Sequence, residues 1–554
     1  MNHSIHCVGI DLGHKNAIVA VNTNGIIKVC ADSSSTKIFP TLISYGEERR
    51  FFGDQAQLNQ PDNISFTIAN LRKLIGLQYN SPDRERIEPD FRFSLCKLEN
   101  ELTGIWCRNF PKPNAFSPEQ CIASFLKHLI NIAKKEENDP EVNKLYLSVD
   151  PDCSNIQRIG LLNAAKIAGI DCELVTSTVA AGAAYIHSHT DKIEQDPYQS
   201  KTIYVVDIGD SSLKVSILKL FQNSIEVIAH QQKNEISGRK ITELLTEYLL
   251  NKISQKYFIN LRNDLRNKSS SMHQFLKSVE NAKKILSANT SVQFEYQYGD
   301  KYISFPINRE DFEDIIEEYA EYCASFVNEL IETSDDFPTF IELIGGTSRI
   351  PLFRKKIEEI GIKVVSNINV DECVAIGCAM KPSLQIADIL YRPIEIESEN
   401  IIVFDALEFI PTITKSFNKI VNFSCKVKVE SNGSDYKVYV DSNGVFRVNY
   451  DINYVKVTIP NDFSENQIKE FRKIEKSLKK RDKNVIESDH LKIMLESKIY
   501  EAEGIFRDMI NELMKNKKFM NEEQLSKEKE LKKKELLKIF EFHKLDQIAN
   551  ENRK

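Results

Sequence analysis

The sequence predicts an α/β protein of two related lobes, followed by a small antiparallel β domain and a C-terminal α-helical domain. Three observations carry this reading. Two segments about two hundred residues apart repeat one pattern of apolar run, Asp-x-Gly turn and second apolar run. Val8–Val21 contains Asp11-Leu12-Gly13, and Tyr204–Ile217 contains Asp207-Ile208-Gly209. From about residue 394 the hydrophobic period changes to two, and after Pro460 there is no further proline and one glycine, Gly504, in a segment nearly half Lys, Arg, Asp and Glu.

The duplicated hairpins come first. A strand–turn–strand of this kind exposes backbone N–H groups at its tip, and glycine lets the chain approach a ligand closely. The Asp ending the first strand suits a carboxylate that holds a hydrated Mg²⁺. One such hairpin is ordinary scaffold. Its repetition points to two lobes facing each other across a phosphate group.

Between and after the hairpins, residues 1–381 alternate strand-like and helix-like runs, as an α/β domain does. Leu145–Val149 reads as a strand ending in the Asp150-Pro151 turn, and 154–168 as an amphipathic helix stopped by Gly169. Residues 236–258 and 272–288 are helical by periodicity, and Phe340–Ile344 is a strand entering Gly345-Gly346-Thr347-Ser348-Arg349-Ile350-Pro351. A linker is expected over 382–393 and a reduced β domain over 394–460. There Lys426–Val429, Tyr436–Val440 and Val445–Val448, separated by Asn-Gly turns, read as an antiparallel meander. A charged helical domain is expected over 461–554, with Leu491, Leu495, Ile499, Ala502 and Phe506 as its apolar stripe.

At 554 residues the chain can hold two to four domains, and its net charge of −7 gives no basic domain suited to nucleic acid. No stretch approaches the ~20 apolar residues of a membrane span, and no leader or lipidation signal is read. The 11 scattered cysteines include no C-x-x-C pair. Reduced thiols and a cytoplasmic setting are therefore expected, without a disulfide framework or zinc site.

The chain resembles the seventy-kilodalton heat-shock chaperone superfamily, and within it the hundred-and-ten-kilodalton branch. Five elements occur in that family's order: the Asp11-Leu12-Gly13 hairpin, a helical connection near 178–185, the Asp207-Ile208-Gly209 hairpin, the Gly345–Pro351 adenosine motif, and the closing connection Asn369–Gly377. Asn70–Gly76 and Glu280–Thr290 are also family-like. The resemblance implies a two-lobed actin-like ATPase-type domain over 1–381, with a peptide-binding-like β domain and a lid-like helical domain behind it.

It also implies a nucleotide site for ATP or ADP with Mg²⁺. Glu280, Lys283, Lys284 and Ser287 fall where the family cradles ribose and adenine, and at i, i+3, i+4 and i+7 they share one helix face. Lys284 stands for an adenine-stacking Arg, keeping the charge without the planar surface. Gly345, Gly346, Thr347 and Arg349 form the facing wall, Gly238-Arg239 matches a turn beside the ribose, and Asp371 lies in the closing connection. Asp11 and Asp207 are the carboxylates that hold Mg²⁺ through water.

The phosphate side departs from the family. Beside Gly13, the usual hydroxyl pair is His14 and Lys15, with Lys15 expected at the β- or γ-phosphate. Arg72, or Lys73 one residue on, corresponds to the catalytic lysine, and Ser177 replaces an acidic residue. Beyond Gly209 the second tip is Asp210-Ser211-Ser212, and Lys214 replaces the acid that helps orient water. Such changes remove water-orienting groups and add cations, so nucleotide binding with weak or absent hydrolysis is expected.

The branch implies a cytosolic co-chaperone that acts as nucleotide exchange factor for a seventy-kilodalton partner and holds unfolded client proteins. Two alternatives stand beside it: a divergent ATP-driven peptide-binding chaperone, and an actin-fold small-molecule kinase.

Overall fold

The computed structural model describes residues 6–516 apart from 62, 88–92, 108–113, 137–140, 190–199, 263–264, 266–268, 418, 432, 453–454 and 460, with isolated helical positions between 523 and 534. The chain divides into two compact units, Met1–Ser477 and Leu478–Lys554.

In the first unit β1 (His6–Leu12), β2 (Asn16–Thr23) and β3 (Ile26–Val29) form an antiparallel ladder. Strands β4 (Lys144–Val149) and β5 (Cys172–Thr176) add in parallel beyond β1, giving the order β5-β4-β1-β2-β3. Parallel neighbours need a crossover, supplied by α1 (Asn155–Ala168). Its sequence fixes both ends: Ser154 and Gln157 form a capping box, and Gly169 closes the helix at φ +87°. Helix α2 (Ser177–Ser188) follows β5 directly.

The second lobe repeats this topology. Strands β6 (Lys201–Ile208), β7 (Leu213–Leu220), β8 (Ser224–Lys233), β9 (Phe340–Ile344) and β10 (Val364–Val365) lie in the order β10-β9-β6-β7-β8. The two Asp-x-Gly turns thus link the first two strands of each copy. Ile203, Tyr204, Val205 and Val206 are all buried, as expected of a strand covered on both faces. Helices α3 (Gly238–Tyr257) and α4 (Ser269–Ala288) pack on this lobe's apolar core.

Helix α5 (Cys373–Met380) crosses α2 so closely that a Cβ on Gly377 would stand 1.7 Å from the Ala180 carbonyl oxygen. Gly9 is as constrained, with a Cβ falling 2.4 Å from the Ala375 oxygen. Ala180, Ala181, Ala183, Ala375 and Ala379 leave the room for this backbone approach.

The segment expected as a linker holds β11 (Gln385–Ile389), which pairs in parallel with β8 and extends the second-lobe sheet. Leu384 and Ile389 are buried in the core shared with α2 and α5, with Ile386 packed against it. Burying such side chains is worth about 1.5–3 kcal/mol each, which explains why this stretch is a strand rather than a tether.

The β-rich segment also differs from a meander. It contains β12 (Ile394–Ile396), β13 (Ile401–Phe404), β14 (Phe409–Ile410), β15 (Lys415–Phe417), β16 (Val421–Phe423), β17 (Val427–Ser431), β18 (Tyr436–Val440), β19 (Phe446–Asn449) and β20 (Val455–Thr458). These form two sheets, β13-β12-β16-β17-β20 and β15-β18-β19, while β14 pairs with β11. Strands β17 and β18, expected as a hairpin, lie in different sheets. Each buries alternate residues, Val427 and Val429 on one and Tyr436, Val438 and Val440 on the other, in one common core. That shared core favours two sheets over one.

This β domain is tied to the first lobe. Arg158 Nη1 donates to the Asn443 carbonyl at 3.1 Å, Leu174 N to Asn443 Oδ1 at 2.9 Å, and Phe446 N to Asn155 Oδ1 at 2.9 Å. The chain leaves it at Asn461, whose carbonyl accepts from Asn163 at 2.8 Å. Helix α6 (Glu465–Asn516) then begins, and its Glu475 pairs with buried Arg50 at 2.8 Å. The expected helical domain from 461 is thereby anchored to the first lobe through its first turns. In the second unit the helix continues with Leu491, Leu495 and Ile499 exposed. The side chains of Ala502 and Phe506 lie outside the described residues.

Candidate functional site

The carboxyl ends of β1, β4, β6 and β9, with the two hairpin tips, meet α4 around a cleft of about 640 Å³. Gly345 at φ +86° turns the chain out of β9 where a Cβ would stand 2.3 Å from Asp207 Oδ1, and a Cβ on Gly238 would stand 2.4 Å from Thr347 Oγ1. Position 345 can only be glycine, a side chain at 238 would have to displace the Thr347 hydroxyl, and together the two glycines let the 345–349 turn pack against the second hairpin.

Most of the residues singled out in the sequence line this one cleft. Asp11, Gly13, His14, Lys15 and Arg72 come from the first lobe. Asp207, Gly209, Ser211, Gly345, Gly346 and Thr347 come from the second. Glu280, Lys283, Lys284 and Ser287 share the helix face expected of them, opposite Arg349 and Asp371. Three sit just outside it. Ser212 is buried at the hairpin tip, Gly238 lies beneath Thr347, and Arg239 bonds Asn70 Oδ1 at 2.8 Å. A neighbouring cavity of about 700 Å³, lined by Arg239, shares His14, Arg72, Asp150 and Ser211 with the cleft.

Side-chain partners change several roles. Lys15, expected at the terminal phosphates, pairs across the cleft with Glu280, expected at the ribose. Glu280 also accepts from Lys283 and from Thr242, each at 2.9 Å. Burial pushes its carboxyl up, but Lys283 and Lys15 bring it down to about 2. Arg349 and Asp371 pair at 2.6 Å. The Asp210 carboxylate at the second tip is offset by Arg239 at 3.3 Å.

The phosphate end holds a cluster that the sequence did not disclose. Asp150, read only as a turn residue, accepts from Arg72 Nη2 at 2.9 Å and from Lys214 Nζ at 3.1 Å, with His14 Nε2 at 3.5 Å. Lys214 also donates to Asp207 Oδ2 at 2.9 Å, and Arg72 Nη1 donates to the Leu12 carbonyl at 2.9 Å. Burial disfavours the Asp150 carboxylate, yet Arg72 and then Lys214 hold it well below the usual range. His14 is kept neutral chiefly by burial. Asp11 accepts from Ser148 Oγ at 2.8 Å, and burial pushes its carboxyl up to about 6. Among the described residues His14 Nδ1, Ser177 Oγ and Ser212 Oγ are buried without a hydrogen-bond partner, which leaves three polar atoms for a ligand or water.

Comparison with known proteins decides the family. The family model described as "Hsp70 protein" matches residues 7–406. The chain belongs to the Hsp70 family. It is 29% identical over 396 residues to a heat shock protein homolog of Saccharomyces cerevisiae, covering 70% of this chain and 56% of that protein. A heat shock protein homolog of Naumovozyma castellii is 29% identical over 397 residues, covering 70% and 57%. The 97 kDa heat shock protein of Mesocentrotus franciscanus is 26% identical over 412 residues, covering 70% and 45%. The chain thus spans about half the length of the curated relatives it matches. The resemblance to the hundred-and-ten-kilodalton branch of the Hsp70 superfamily is upheld. Among the described residues no helix is long and apolar enough to cross a membrane.

Hsp70 proteins bind ATP and ADP with Mg²⁺, so the fit of the cation matters. Asp11 and Asp207 face one another across the cleft as such a site needs, but one Asp207 oxygen is taken by the Lys214 ammonium and one Asp11 oxygen by Ser148. A divalent ion held there through water would stand beside the buried Lys214 ammonium, so the residues present do not fit it.

Proposed function

We propose that this Hsp70-family chain is a cytosolic co-chaperone that binds ATP or ADP, turns ATP over slowly or not at all, and opens the nucleotide cleft of a separate seventy-kilodalton chaperone. It also holds unfolded clients. The observation that carries this reading is the Asp150 cluster. Arg72, at the place of the family's catalytic cation, spends both ends of its guanidinium on Asp150 and Leu12. Lys214 spends its ammonium on Asp150 and Asp207. Phosphoryl transfer needs an aligned water and cations aimed at developing charge. Here the cations answer to the protein's own carboxylates. The glycine and lysine walls still offer shape and charge for a nucleotide, so binding outlasts hydrolysis.

The test mixes the full-length chain with a seventy-kilodalton chaperone loaded with fluorescent ADP. Release accelerated in a dose-dependent way supports the reading, and unchanged release with every partner tested removes it. One observation favours the ATP-driven chaperone instead: β11 is joined to the nucleotide lobe through Asp388, whose oxygens engage His230 at 2.9 Å and Thr176 at 2.7 Å. Multiple-turnover hydrolysis at the rate of an active family member would select that alternative.

A further inference from the structure

Asp207 and Lys214 are direct cross-strand partners in the β6–β7 hairpin. In the β1–β2 copy the corresponding pair is Asp11 and Ile18. The duplication therefore carries a cation on one side only. Lys214 is buried, and its Nζ lies 2.9 Å from Asp207 Oδ2 and 3.1 Å from Asp150 Oδ1.

A lysine ammonium has three donors and no acceptor. Two are committed to Asp207 and Asp150. The third meets no acceptor among the described residues, and Lys214 lines the cleft. A divalent ion held through water between Asp11 and Asp207 would lie beside this buried ammonium, where like charges repel strongly. Withdrawing the lysine would strip two buried carboxylates of a partner at once.

We propose that Lys214 takes the place of the divalent cation, so that a nucleoside diphosphate binds this cleft without metal, its phosphate oxygens meeting the lysine's remaining donor and the two hairpin tips. The inference rests on the nucleotide reading of the cleft given above. The ammonium is covalently part of the site, so its charge is present whether or not Mg²⁺ is. The carboxylate that would otherwise organise the metal instead fixes the lysine.

The test titrates the full-length protein with fluorescent ADP, once with Mg²⁺ and once with excess EDTA. The two dissociation constants are expected to agree within about threefold, below the tenfold that marks a lost strong interaction. In EDTA, Lys214→Met is expected to weaken binding by about tenfold or more, and Lys214→Arg to retain most of it. Binding by the unaltered protein that falls about tenfold or more in EDTA overturns the proposal, and this comparison needs no folded variant. Lys214→Met that folds and binds as tightly as the parent in EDTA also overturns it. Absence of ADP binding in both buffers overturns the nucleotide reading itself, and the inference with it.

Discussion

His230 Nε2 lies 2.9 Å from Asp388 Oδ1, joining the strand 385–389 to the middle of the second-lobe sheet. The contact belongs to a buried chain. Ser216 Oγ meets His230 Nδ1 at 2.6 Å and Thr178 Oγ1 on its other side. Thr178 stands beside Ser177, which lines the nucleotide cleft. A set of hydrogen bonds thus runs from Thr178, the residue after the cleft-lining Ser177, to the strand that leads into the β domain.

Asp388→Ala should leave His230 and Thr176 without their buried acceptor, at a cost of about 2–4 kcal/mol. Hydrogen exchange of Gln385–Ile389 should accelerate, while that of β1 and β6 changes little. The same carboxylate gives a pH dependence. Burial pushes its pKa up, but His230 and Thr176 bring it down to about 2, below the value near 4 of the unfolded chain. Its contribution is therefore complete above about pH 4 and lost as pH falls toward 2. Exchange protection of this strand, followed down through that window, checks the sign.

Asp150→Ala removes the anion between Arg72 and Lys214. Two buried cations lose a partner, so the nucleotide-free protein should lose about 3–5 kcal/mol in urea unfolding. Added nucleotide supplies a substitute anion. Its stabilising shift should be larger in the variant than in the parent, and equal shifts would argue against the cluster as the phosphate end of the cleft.

Lys15→Ala breaks the ion pair that spans the cleft to Glu280. The lysine is partly exposed and the pair is screened, so the effect is modest. Nucleotide dissociation should quicken by about twofold to fivefold, measured by stopped-flow release of fluorescent ADP. Slower release would show that the pair obstructs binding rather than closing the cleft.

Gly377→Ala places a methyl group 1.7 Å from the Ala180 carbonyl oxygen, between two backbones. Neither helix can yield, since each is packed against a central sheet. A loss above about 4 kcal/mol is expected, seen as insoluble protein or a collapsed melting temperature.

A chain ending at 460 lacks Glu475, which closes on Arg50 with Ser124 at 2.6 Å beside it. Arg50 would lose that carboxylate while keeping Ser124 and, with the helix gone, meeting water, so about 1–3 kcal/mol should be lost. A chain ending at Ser477 retains the pair and should melt close to the full-length protein. Matching melting temperatures for the two truncations would show that this pair contributes little.

The elements set by short-range pattern were legible in the residues alone. The Asp-x-Gly hairpins, the Ser154 and Gly169 helix ends, the 280–287 face and the Gly345-Gly346 turn each depend on a few neighbouring residues. Local preference and periodicity encode these fully. The second-lobe role of 385–389 was harder to see. Its strand forms only because the β8 edge and the α2–α5 core are there to receive it.

Sequence by itself determined that there are two related lobes, that glycine turns shape their tips, and most of the side chains available to the cleft, Asp150 excepted. Tertiary structure alone decided how those side chains pair. Asp150 meets Arg72 from 78 positions away, Lys15 meets Glu280 from 265, and Arg50 meets Glu475 from 425. Nothing local favours these partners over other charges of the same sign. Burial does: once the lobes close and water leaves, each ion takes the nearest opposite charge, because an unpaired one costs several kcal/mol. Even β17 and β18, joined by a hairpin-like turn, separate into two sheets because their apolar faces share one core. Long-range closure, which no local pattern encodes, turned a row of carried-over residues into a cleft whose cations are already occupied.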